Sequence, residues 1–116
     1  MKLGAIVLEG QRAPDKAVIY IIKNREEILY IGKSNQVENR LAQHLGYDNP
    51  PSTGYFDEFA RAAIPSCWEW DVDFVEIPND ILDSGSQARV NYWIKDKEAM
   101  LIREFCPKYN LLNRFK

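Results

Sequence analysis

From Gln87 to Phe105 apolar residues recur at helical spacing, at Val90, Ile94, Leu101 and Phe105. Residues three and four apart share one face of a helix. The spacing therefore predicts one long helix whose stripe faces the body of the protein. Glu98 interrupts that stripe, four residues after Ile94 and three before Leu101. An ionised carboxylate there is costly unless a cation or several hydrogen bonds compensate it. A metal ion is one such cation, and a salt bridge to an arginine is another. A helix rotated enough to let Glu98 reach water would also relieve the cost.

A chain of 116 residues suits one domain with a single modest core. The expected division is an N-terminal extension over 1–16 and a core over 17–113. The hydrophobic content of 46% and three Trp argue for a folded globule. No apolar run approaches the ~18 residues of a membrane span. The apolar stretch at 4–8 is too short for a signal-peptide core, and Glu9 follows it directly. A cytoplasmic protein that does not engage a membrane is expected. Cys67 and Cys106 lack metal-ligand spacing and read as core or near-core thiols.

The net charge of −2 hides an asymmetry. Residues 1–46 carry seven Lys/Arg against five Asp/Glu, and residues 84–116 carry seven against three. The middle, 47–83, carries one against nine. An acidic chain can thus still present one basic face.

Residues 17–23 and 27–32 are β-forming and flank the polar turn Asn24-Arg25-Glu26, which predicts a hairpin. With the loop centred near Arg25, Tyr20 opposes Tyr30 on one face of the sheet. A helix is expected over 37–45, ended by Gly46. Leu41 and Leu45 form its apolar side, and Arg40 and His44 share another. A loop over 49–54 leads to a short helix over 55–63, with Phe56, Phe59 and Ala60 inward. Trp68, Trp70, Val72 and Phe74 alternate with Glu69, Asp71 and Asp73, the pattern of a half-buried strand with a solvated acidic face. A loop over 78–86 precedes the long helix, and Pro107 stops further helix. Residues 5–8 are open between an edge strand and a packed arm. The sum is an α+β fold, a small three-stranded antiparallel sheet flanked by helices in the order ββαα–β–α.

Within this frame the polar residues Tyr20, Tyr30, Lys33, Arg40, His44, Glu98 and Asn110 stand out. Val18-Ile19-Tyr20 and Tyr30-Ile31-Gly32 are two triplets ten residues apart, and Arg40 lies ten after Tyr30. With Glu98 through Arg103 and Cys106-Pro107-Lys108-Tyr109-Asn110, the set resembles the GIY-YIG nucleases. Lys33 and the terminal stretch are similar to the N-terminal domain of the bacterial excision repair incision subunit. His44 stands where homing-endonuclease members often carry a histidine. Val18 replaces the first glycine of the pattern, a backbone position that carries no catalytic group.

The resemblance implies a metal-dependent endonuclease acting on DNA, branched or damaged strands among the candidates. It implies one Mg²⁺ or Mn²⁺ per site, held by Glu98. One carboxylate with waters and a substrate phosphate is a usual Mg²⁺ arrangement. The cation would act as a Lewis acid. Arg40 would clamp a phosphate oxygen, and Gly32, Lys33 and Asn110 would meet the substrate. Asn110 would fix either the tail or a phosphate. The base is open among Tyr30, Tyr20 and His44. A free phenol with pKa of about 10 is a poor base at neutral pH, so Lys33, Arg40 and the metal are expected to lower it. His44 alone has an ordinary pKa near 6.5. Target choice is expected from the loop over 47–54 and the helix after it, from a second copy of a stand-alone domain, or from a separate targeting subunit. The competing class is a nucleic-acid-binding or protein-adaptor module that kept this fold without turnover.

Overall fold

The computed structural model describes residues 1–47 and 54–113. At its centre, β1 (Val18–Asn24), β2 (Glu27–Ser34) and β3 (Asp71–Glu76) form a three-stranded sheet in the order β2-β1-β3. Both pairings are antiparallel. Val18, Ile19, Tyr20 and Ile22 put apolar groups on both faces of β1, and all four are buried, as suits a strand covered on two sides. The α+β class expected from the sequence is the observed one.

Helices cover each face. α1 (Leu3–Val7), α2 (Val37–His44), α3 (Tyr55–Ala62) and α6 (Lys108–Asn113) enclose the core around Val18, Tyr20 and Ile22. α4 (Asn79–Leu82) and α5 (Gln87–Phe105) enclose the core around Ile19 and Ile31. α5 has the limits its periodicity predicts. Ser86 Oγ accepts the Arg89 N–H at its start, and Cys106 ends it in the left-handed region at φ 46°. Ile94 and Leu101 are buried, whereas Phe105, 45% exposed, leaves the stripe in the last turn.

The hairpin register differs from expectation. Tyr20 faces Gly32, and Tyr30 faces Ile22. The turn proper is Arg25-Glu26, and a bulge after Ile22 absorbs one more residue. The displacement of two residues preserves the alternation of faces. Both tyrosines therefore still lie on one face, with ring centroids 6.2 Å apart.

Other elements depart from the expected order. β3 begins at Asp71, because Ser66–Glu69 winds into a short 3₁₀ helix that takes Trp68 out of the strand. Its carboxylates are solvated and paired, Asp71 with Lys2 at 3.1 Å and Asp73 with Lys23 at 2.5 Å. Residues 5–8 add no edge strand, and Ile6 packs into the core. α1 occupies this stretch and buries Leu3 and Ile6, while the Val72 N–H donates to Met1 O at 2.7 Å. Four residues of the expected loop 78–86 are helical as α4. The chain turns helical again after Pro107 as α6. Cys67 is buried, but Cys106, expected near the core, is exposed at its helix end. The expected loop over 49–54 lies outside the described residues except for Gly54.

α6 secures the open edge of the sheet. β2 is an edge strand, whose unpaired backbone groups invite partners. The Ile31 N–H donates to Asn110 Oδ1 at 2.7 Å, and Asn110 Nδ2 donates to Ile31 O at 2.8 Å. One side-chain amide thus stands in for a neighbouring strand. Of the two roles left open for Asn110, fixing the tail is the one the structure shows.

Candidate active site

Tyr20 and Tyr30 project from adjacent strands toward α2 and α3. Tyr20 crosses the sheet above Gly32, and a Cβ on residue 32 would collide with the Tyr20 ring carbon Cζ and hydroxyl. The glycine of the second triplet is therefore a steric requirement of the first tyrosine. It is buried beneath that ring, which is not the substrate-facing position expected for it. Val18 is fully buried in β1, so the side chain that replaces glycine there is accommodated by packing.

α2 brings Arg40 and His44 inward. Arg40 is half-buried, and its guanidinium lies near enough to both phenols to favour their ionised forms. Its Nη1 also donates to Gln43 Oε1 at 3.2 Å. His44 is only 2% exposed, so the side of α2 that it shares with Arg40 faces inward there. It sits edge-on to Tyr30, with centroids 5.3 Å apart, and its Nε2 lies 2.8 Å from the Tyr20 hydroxyl. Gly46, at φ +81°, turns the chain away after α2, a conformation that favours glycine.

Sequence reasoning missed two members of this group. Phe56 stacks on Tyr30 at 4.7 Å and meets His44 edge-on at 5.2 Å. Asp57, 4% exposed, bonds His44 Nδ1 through Oδ1 and accepts the Gly54 N–H on Oδ2 at 2.6 Å. The signal for Asp57 was available. It lies three residues before the inward Ala60, so it interrupts an apolar face as Glu98 does. α3, expected to tune target choice, builds a wall of the site.

Burial sets the charges. Desolvation raises the pKa of Tyr20 and of Tyr30, and Arg40 only partly offsets it. The expected lowering of a phenol by Arg40 and Lys33 is not what the protein's own groups produce. Burial lowers the pKa of His44 despite its bond to Asp57, so the imidazole is neutral at neutral pH. Burial opposes ionisation of Asp57, but His44, the Gly54 N–H and Arg40 outweigh it, and its pKa falls.

Glu98 reaches this cluster from α5. Its charge acts on both tyrosines, and burial raises its own pKa while exposed Lys33 partly offsets this. Among the described residues Glu98 forms no ion pair within 4.0 Å. The arginine bridge considered from the sequence is thus not formed there. A half-buried carboxylate with no ion pair among the described residues suits a divalent cation. Among the described residues no group of three or more His, Cys, Asp or Glu could hold a metal, so a bound ion would draw its remaining ligands from water and substrate.

The combination of two strand-borne tyrosines, an inward arginine and a half-buried helical carboxylate is that of a nuclease-type site. The GIY-YIG catalytic domain pattern matches residues 16–110, and the chain belongs to this family. It is 30% identical to UvrABC system protein C of Aquifex aeolicus over 98% of its own length, and that match spans 17% of the relative. The Clostridium botulinum protein of the same name is also 30% identical, over 85% of this chain and 13% of that one. The chain therefore corresponds to a small part of these relatives. A crystal structure of the GIY-YIG N-terminal endonuclease domain of UvrC from Thermotoga maritima, bound to its catalytic divalent cation, magnesium, is similar in fold. It has a TM-score of 0.53 and 26% identity, with 90% of each chain covered. No helix among the described residues is long and apolar enough to cross a membrane.

Proposed function

We propose that the chain is a cytoplasmic, divalent-metal-dependent endonuclease that hydrolyses phosphodiester bonds in DNA. The observation that carries this reading is Glu98, a half-buried carboxylate with no ion pair among the described residues, whose charge is felt at both tyrosines. The family and the magnesium-bound Thermotoga domain support it.

Glu98 holds one Mg²⁺ or Mn²⁺, which when bound supplies Lewis-acid stabilisation of the phosphoryl oxygens and the leaving group. Arg40 clamps a phosphate oxygen, a task suited to a planar guanidinium. Lys33, exposed at the rim beside Glu98, adds positive charge for the incoming backbone. Tyr30 is half-buried, whereas Tyr20 is 1% exposed. Tyr30 therefore orients the attacking water from the cleft, and the proton of that water is taken up within the cluster of Tyr20, Tyr30 and His44. Phosphate contacts bring affinity without sequence preference, so the target is selected by DNA structure, by a second copy or by a targeting subunit.

The test is incubation of the purified chain with supercoiled, branched and damaged DNA in Mg²⁺ or Mn²⁺, with a chelator control. Cleavage that requires the cation is expected. Binding without turnover in either metal on every substrate would contradict the proposal and favour the adaptor class.

A further inference from the structure

We infer that Asp57 is a positioning residue that holds His44 as the terminal proton acceptor of a relay running from Tyr20 to His44. The inference rests on the nuclease reading above. Three elements contribute, Tyr20 from β1, His44 from α2 and Asp57 from α3, and they are 1%, 2% and 4% exposed. The hydrogen-bond partners assign each hydrogen of the relay a place. Asp57 Oδ2 is taken by the Gly54 N–H at 2.6 Å, which leaves Oδ1 for the imidazole. An ionised carboxylate only accepts, so His44 Nδ1 carries the hydrogen. Nε2 then presents a lone pair, and the Tyr20 hydroxyl, 2.8 Å away, donates to it. The order is donor, base and orienting carboxylate, the logic of acyl-transfer triads. Here the first member is not the nucleophile, because hydrolysis takes the attacking oxygen from water. It can pass a proton.

In the proposed step a water O–H proton moves to Tyr20 Oη as the Tyr20 proton moves to His44 Nε2. The water oxygen forms the new bond to phosphorus, and the bond from phosphorus to the leaving oxygen breaks. Solvent protonates the leaving oxygen, and the imidazolium later returns its proton to solvent. Tyr20 is neutral before and after, so the high pKa that burial imposes on it is no obstacle. Among the described residues the titratable and charged groups facing His44 are Tyr20 from β1, Tyr30 from β2, Arg40 from its own helix, and Asp57 and Arg61 from α3. Burial and the two arginines keep the resting imidazole neutral, and Asp57 stabilises the imidazolium once it forms.

His44 is the single histidine of the chain, so its imidazole nitrogens can be read without assignment by NMR of the labelled full chain. The wild type is expected as the Nδ1–H tautomer at neutral pH, titrating below the ordinary 6.5. Asp57→Asn should invert this. The Gly54 N–H will draw the amide oxygen, the amide NH₂ will face Nδ1, and the imidazole must become Nε2–H. It would then donate to Tyr20 instead of accepting. The same variant should cut DNA at least about 100-fold more slowly and shift the acid limb of its pH–rate profile downward, with the fold intact by circular dichroism. A wild type in the Nε2–H form overturns the relay. So does an Asp57→Asn chain that keeps Nδ1–H and cuts DNA at the wild-type rate, and that result leaves the nuclease reading standing. A wild type with the expected tautomer that cuts no DNA overturns the nuclease reading, and the relay with it.

Discussion

Glu98→Ala is expected to lower metal-dependent cleavage by at least about 10³-fold, because it removes the one charged protein ligand proposed for the cation. It should not destabilise the metal-free protein. The folded-state pKa of Glu98 is raised by burial. A raised acid pKa means that the ionised group opposes folding above both pKa values, and that this cost fades as pH falls through the folded value. Removing the carboxylate should therefore leave thermal stability near neutral pH unchanged or improved. Mg²⁺ should raise the midpoint of the wild type by mass action and not that of the variant. Cleavage and calorimetry in the presence and absence of Mg²⁺ check both halves. Activity that survived the substitution would remove Glu98 from the chemistry.

Phe56→Ala is expected to have the largest effect on folding. The ring is 1% exposed and lies at the junction of the site and the core. It stacks on Tyr30 at 4.7 Å and contacts His44 at 5.2 Å, Tyr109 at 6.0 Å and Trp70 at 6.2 Å. Truncating a buried Phe costs about 3–5 kcal/mol through lost burial and the cavity left behind. For a domain of this size that is roughly a 10–25 °C fall in melting temperature. Tyr30 would lose the surface that fixes its ring, so activity at permissive temperature should fall as well. A loss below about 1 kcal/mol in a denaturant titration would show that the site can collapse around the gap, contrary to the packing described.

What could be read from the sequence depended on the range of the interaction. The limits of α5 and the inward position of Glu98 follow from spacing along one helix, and the structure has both. The shared face of Tyr20 and Tyr30 follows from alternation along two strands. It survived an error of two residues in register because that error was even. The bulge after Ile22 and the Arg25-Glu26 turn are set by the docked sheet, and the polar turn residues did not reveal them. The start of β3 was misplaced because alternation through Trp68 and Glu69 looks the same whether those residues extend the strand or wind into a 3₁₀ turn. His44 and Asp57 were harder. They lie on different helices, and no local spacing says that one will meet the other. The steric fit of Gly32 under the Tyr20 ring likewise exists only once β1 and β2 are paired. The resemblance named candidate site residues that periodicity could not single out. It did not supply the burial that keeps both phenols protonated.

Crystals of the chain soaked in Mn²⁺ and examined by anomalous diffraction test the central claim most directly. One manganese bonded to a Glu98 carboxylate oxygen, on the side facing Tyr20 and Tyr30, is the result expected. A Glu98 paired with a cationic side chain, or manganese bound only elsewhere, would contradict the account.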